Sequence, residues 1–195
     1  MRLFIALDLD DAIRERIRGF LEGVCGLAPD ARWVRAEALH VTLKFIGEQP
    51  PECAENIHRA LSAIRPDAME LTFRGYGFFP SAPAPRVFWI GIEAGPRLAA
   101  LALAVDKAME GLGIPREQHA FSPHLTLARG GGGSGAPPRQ KGDTPNARFQ
   151  RLQEKLGLMP APEFGTMTAR EFFLYESQLQ RGGSLYTRLQ SFPLH

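Results

Sequence analysis

Cysteine is scarce in this 195-residue chain: Cys25 and Cys53 are the only two, and they form no CxxC pair. Two isolated thiols are too few for a disulfide framework, so they read as packing residues of a protein kept in a reducing compartment, the cytoplasm. A dominant charge is also missing. Lys and Arg total 23 against 21 Asp and Glu, a formal net charge of +2, which argues against the strongly basic faces that coat nucleic acid and leaves room for a small local phosphate site. No run approaches the roughly 18 consecutive apolar residues of a membrane span. The opening "MRLFIALDLDD" lacks the long apolar core and cleavage site of a signal peptide. What remains is the balance of a soluble globular protein, 44% hydrophobic and 23% charged, long enough to bury a core without staples.

Apolar periodicity divides the chain into alternating elements. "RLFIALD" (2–8) reads as a buried strand, followed by a helix that Asp10 can cap and in which Ile13, Ile17, Phe20 or Leu21, and Val24 recur at helical spacing. "LHVTLKFIG" is a second strand. Pro50 and Pro51 introduce a helix with Ala54, Ile57, Leu61 and Ile64 on one face, ended by Pro66. "MELTFRGYGFF" (69–79) is a strand weakened by glycines. The order then repeats: strand "RVFWIGI" (86–92), a helix opened by Pro96, strand "PHLTLAR", a helix near 147–156, then "MTAREFFLYES" and "SLYTRLQSF" as one strand each.

That repetition has a register. His124 lies 84 residues after His40, and Arg86 lies 84 after Arg2, so one ungapped offset superposes "RLFIAL" on "RVFWIG" and "HVTL" on "HLTL". The halves fall at about 1–80 and 85–195. Register fails beyond Arg129, where a Gly-rich stretch (130–146) reads as a flexible insertion carrying Arg139 and Lys141.

In a strand, His40 and Thr42 project to one face while Val41 and Leu43 project to the other, and likewise for His124 and Thr126 against Leu125 and Leu127. Two such strands brought together across a pseudo-twofold axis put two imidazoles and two hydroxyls around one cleft. Near neutrality one imidazole can accept a proton while the other donates one, and Thr hydroxyls can hold the non-bridging oxygens of a phosphate. Hydrolysis of a cyclic phosphodiester needs those parts and no metal or cofactor.

The paired motifs, with "HVTLKFIGE", "FSPHLTLAR" and "LYESQL" around them, resemble the 2H phosphoesterase superfamily, in its branch of RNA 2',3'-cyclic phosphodiesterases, also called 2'-5' RNA ligases. The resemblance spans nearly all of 1–195 apart from the insertion. It implies a single bilobal α+β domain, an antiparallel sheet flanked by helices in each lobe and a cleft between the sheets. It also implies hydrolysis of RNA 2',3'-cyclic phosphate ends to 2'-phosphomonoesters, with His40 as proton donor, His124 as proton acceptor and Thr42 and Thr126 holding the phosphate. RNA ends or nucleoside 2',3'-cyclic phosphates are then the substrates of a monomer, and some relatives also join RNA through 2'-5' bonds.

Other residues enter as candidates. Arg129 can give a charge-assisted bond to phosphate, where the first half has Phe45, and Lys44 is placed on the face of Thr42. Among Phe45, Tyr76, Phe78, Phe79 and Trp89, one is expected to face the ligand and stack a base. His58 and His119 read as surface or loop residues and His195 as a mobile terminus. Two alternatives stand beside the enzyme: a non-catalytic binder of cyclic-phosphate or 2'-phosphate ends, and a zinc hydrolase using His40 and His124, for which no third ligand motif is evident.

Overall fold

Burial follows the apolar pattern element by element in the computed structural model, which describes residues 1–130 and 145–195. All but the edges of the predicted insertion, with Arg139 and Lys141, lies outside the described residues. β1 (Arg2–Leu7) is buried from Leu3 onward, and α1 (Asp11–Val24) buries Ile13, Ile17, Leu21 and Val24. Asp10 holds the N-cap position, but its side chain makes no capping bond. There follow β2 (Arg32–Trp33), β3 (Val41–Glu48), α2 (Ala54–Ser62), β4 (Met69–Phe79), β5 (Val87–Glu93), α3 (Gly95–Glu110), β6 (His124–Arg129), α4 (Gln150–Gly157), β7 (Glu163–Ala169), β8 (Glu171–Gln180) and β9 (Gly183–Pro193).

These strands build two antiparallel sheets, ordered β3-β1-β8-β9 and β2-β6-β5-β4-β7. The two sequence halves exchange strands: β4 pairs with β5, while β8 from the end of the chain pairs with β1. "MTAREFFLYES" is consequently not one strand. Arg170 and the adjacent Glu171 are both exposed, which breaks the alternation, and Arg170 alone separates β7 in one sheet from β8 in the other. In β4, Gly77 serves packing: a Cβ on it would stand 2.2 Å from the Trp89 ring, so the indole lies where only glycine leaves room.

One continuous core runs through both lobes, from Leu3, Ile5 and Leu7 of β1 to Phe88 and Ile90 of β5 and Leu98 and Val105 of α3. Each such side chain contributes roughly 1.5–3 kcal/mol by leaving water. A smaller cluster, Phe4, Ala6, Phe173 and Tyr175 with Tyr186 against it, lies apart from that core on the four-stranded sheet. The chain end is not loose. The His195 N–H donates to the Pro66 carbonyl at 2.9 Å and its own carbonyl accepts from Ala68 at 2.8 Å, so the expectation of a mobile His195 is corrected at the backbone.

Candidate active site

Each histidine motif runs into a β-bulge at the same place in the repeat. Between β1 and β3, Ala6 pairs with Thr42 and Ile5 with Lys44, which skips Leu43; between β5 and β6, Trp89 pairs with Thr126 and Phe88 with Ala128, which skips Leu127. Leu43 and Leu127 are 84 residues apart. An extra residue reverses the in-and-out parity of the rest of its strand. Leu43 and Lys44 are therefore both buried, as are Leu127 and Ala128, and the next residues, Phe45 and Arg129, turn outward. Strict alternation would have sent Arg129 into the core and kept Lys44 beside Thr42.

That parity change corrects the reading of Lys44 as an exposed residue on the face of Thr42, although it still borders the cavity that Thr42 lines. Lys44 is 2% exposed; its ammonium donates to Asp106 Oδ1 at 2.7 Å and to the Pro115 carbonyl at 2.9 Å, with Glu117 Oε1 at 3.7 Å. Asp106 also accepts from the Glu117 N–H at 3.1 Å and from Arg116 at 3.3 Å. Burial pushes the Asp106 carboxyl up, but bonds from Lys44, Glu117 and Arg116 prevail and hold it below the usual carboxylate range. The network ties β3 to α3 and to the loop that leads toward His124.

Both imidazoles are held alike. His40 stands just before β3 rather than within it, and its Nδ1 lies 2.8 Å from the Ala38 carbonyl; His124 opens β6 with Nδ1 2.7 Å from the Ser122 carbonyl. A carbonyl oxygen only accepts, so Nδ1 carries the proton in each ring and Nε2 is left for chemistry. Their surroundings differ. His40 sits among Phe4, Tyr175 and Tyr186, with ring centroids 4.7, 6.4 and 5.1 Å away, whereas His124 is flanked by Phe79 at 4.9 Å and Trp89 at 6.3 Å. Burial lowers the pKa of both rings, the backbone carbonyls oppose it, and the Arg129 charge lowers both further. Asp8 raises that of His40 and Arg14 lowers it; among the described residues no carboxylate raises that of His124.

Thr42, His124, Thr126 and Arg129 line one cavity of about 680 Å³, closed by Leu103 and its neighbours on α3 and by the loop from Arg116 to Ser122. His40 borders a second, smaller hollow of about 280 Å³ with Asp8, Arg14, Glu37, Tyr175, Tyr186 and Arg188. The two lie near one another: the motif strands β3 and β6 approach within 8 Å between Cα atoms, Thr42 is two residues from His40, and the Arg129 charge acts on both rings. Although Arg129 is exposed as a residue, desolvation at the cleft pulls its pKa below the ordinary arginine value, Arg32 adds to the fall, and Tyr186 opposes it.

The remaining candidates sort by contact. Phe45, 57% exposed, lines the larger cavity, as do Phe121 and His119 from the loop. Tyr76 and Phe78 pack on Phe88 in the core, Phe79 and Trp89 brace His124, and His58 packs half-buried on Phe192. The hollow beside His40 has no signature in the sequence. Its Asp8 accepts from both Arg14 and Arg188, and Arg188 lies over Phe173 at 3.9 Å from the ring centroid; these residues come from the two ends of the chain, and no local motif joins them. Among the described residues no three His, Cys, Asp or Glu side chains gather as a metal site.

Comparison with known proteins gives consistent likenesses. Residues 7–89 match the family model described as LigT-like phosphoesterase. An RNA 2',3'-cyclic phosphodiesterase of Archaeoglobus fulgidus is 33% identical over 98% of this chain and 99% of its own length, and one of Methanothermobacter thermautotrophicus is 30% identical over 100% and 99%. Among solved structures, E. coli LigT complexed with 3'-AMP superposes with a TM-score of 0.77 at 29% identity, covering 99% of this chain and 97% of that one. E. coli LigT complexed with phosphate gives a TM-score of 0.73 at 28% identity, covering 99% and 96%.

Proposed function

The chain belongs to the LigT-like phosphoesterase family of the 2H superfamily, and on that premise we propose that it hydrolyses RNA 2',3'-cyclic phosphate ends to 2'-phosphomonoesters, working in the cytoplasm as one bilobal, monomeric unit over residues 1–195. Water attacks phosphorus and the P–O3' bond breaks. His124 Nε2 takes the proton from water and His40 Nε2 delivers one to the departing 3'-oxygen. Thr42 and Thr126 donate to the non-bridging oxygens, and Arg129 balances the charge that grows on them. A 5'-hydroxyl in place of water forms a 2'-5' phosphodiester by the same two transfers, which is the ligation some relatives carry out.

One observation carries the reading: Thr42, Thr126, Arg129 and His124 share a cavity while a backbone carbonyl occupies Nδ1 of each ring and leaves Nε2 to act. The division of labour leans on Asp8, whose charge works against burial and Arg14 to favour a protonated His40 and has no counterpart at His124 among the described residues. Phe45, exposed and lining the cavity as Phe121 also does, is the aromatic of the motif strand assigned to meet the base. Phosphorus NMR of the product from a nucleoside 2',3'-cyclic phosphate, in the presence of a chelator, tests the reaction and its direction. A 2'-phosphomonoester is expected. No turnover overturns the enzyme in favour of a binder of RNA ends, and a 3'-phosphomonoester overturns the assignment of the leaving oxygen.

A further inference from the structure

In the five-stranded sheet, Arg32 of β2 is the direct cross-strand partner of Arg129 of β6. Residues opposite one another in an antiparallel pair point to the same face, with Cβ atoms roughly 5 Å apart, and like charges there are destabilising. The bulge at Leu127 turns Arg129 to the face of Thr126, so Arg32 shares that face. Both side chains are exposed, and neither guanidinium has a hydrogen-bond or ion-pair partner among the described residues. Around the hollow of His40 the opposite holds: Arg14 and Arg188 are paired with Asp8, and Arg18 with Glu37.

The placement of Arg32 is firm. β2 is only two residues long, yet the residues just after Arg32 anchor it: Trp33 Nε1 donates to the Ala28 carbonyl at 2.9 Å and the Val34 N–H to the Leu127 carbonyl at 2.8 Å. A short edge strand is thus fastened so that it sets a second cation beside the first. A cyclic phosphate terminus carries one negative charge, for which Arg129 suffices. A second unneutralised guanidinium, displaced across the ladder from Arg129, matches the next phosphate of a polynucleotide.

We infer that Arg32 and Arg129 form a two-phosphate site, Arg129 serving the cyclic terminus and Arg32 the internucleotide phosphate upstream of it, so that the chain is built for oligoribonucleotide ends in preference to free nucleoside cyclic phosphates. The inference rests on the phosphodiesterase reading above and names its substrate class. Arg32 is a specificity residue and touches no reacting atom.

The test compares a nucleoside 2',3'-cyclic phosphate with a trinucleotide ending in the same group. For the unaltered protein the trinucleotide is expected to have a KM about tenfold lower, with a log–log dependence of kcat/KM on salt steeper by about 0.7, the single-strand value for one more neutralised phosphate. Arg32→Gln removes both differences and leaves the mononucleotide within about twofold. If Arg32→Gln lowers activity on both substrates equally, or on neither, the upstream site is refuted while the phosphodiesterase stands. If the unaltered protein turns over neither substrate, the phosphodiesterase reading itself fails, and the inference with it.

Discussion

His40 and His124 occupy copies of one segment that fold alike down to the bulged leucine, yet the copies do not share their surroundings. Both rings have Nδ1 tied to the carbonyl two residues earlier. One lies among Phe4, Tyr175 and Tyr186 with Asp8 close by; the other is braced by Phe79 and Trp89 and opens on a cavity with two threonines and an arginine. The shared part of the design presents Nε2, and the unshared part sets different charges beside the two rings. Symmetry of sequence therefore coexists with asymmetry of surroundings, because the residues that differ arrive from distant elements.

The comparison breaks most sharply at the histidines. His40→Ala and His124→Ala are each expected to lower kcat on a nucleoside 2',3'-cyclic phosphate by about a thousandfold, with the double variant little worse than either. A single variant that kept a tenth of its turnover would show that the two copies do not act as partners. Next comes the residue after each bulged leucine, buried Lys44 in the first copy and Ala128 in the second. Asp106→Asn leaves the Lys44 ammonium buried against a neutral amide and is expected to cost about 3 kcal/mol in urea unfolding; a loss under about 1 kcal/mol would mean that Pro115 and Glu117 suffice.

Smaller effects sharpen the contrast. Thr42→Val and Thr126→Val should each reduce kcat/KM about tenfold, the scale of one hydrogen bond to a charged group; a loss confined to one would place the phosphate against a single strand. Asp8→Asn removes a charge beside His40 and weakens the pairing of Arg14 and Arg188. The Asp8 charge favours protonated His40, so its removal lets His40 lose its proton at lower pH. With His40 as donor, the alkaline limb of the kcat/KM profile moves toward acid by less than about one pH unit and the acid limb stays. Movement of the acid limb instead would exchange the two roles.

Much of this architecture is legible in the amino-acid pattern. The offset of 84 residues, the strand over Met69–Phe79 and the apolar faces of α1 and α2 all stand in the structure as the periodicity predicts. Strict alternation misplaces Lys44 because it has no room for a bulge, and nothing about Leu43 as a residue announces that two positions there oppose one. The crossing at Arg170 is hidden for a related reason: strands in different sheets can abut in sequence without a turn residue between them. The hollow around His40 draws on Asp8, Arg14, Tyr175, Tyr186 and Arg188, whose meeting depends on the exchange of strands between lobes and on no local pattern.

That exchange also fixes a schedule for biosynthesis. β1 obtains its second neighbour only once β8 has been made, so until then a buried strand has one bare edge, open to pairing with another polypeptide. A chain cut before Glu171 would keep that edge bare, and the hairpin of β8 and β9 covers it once made.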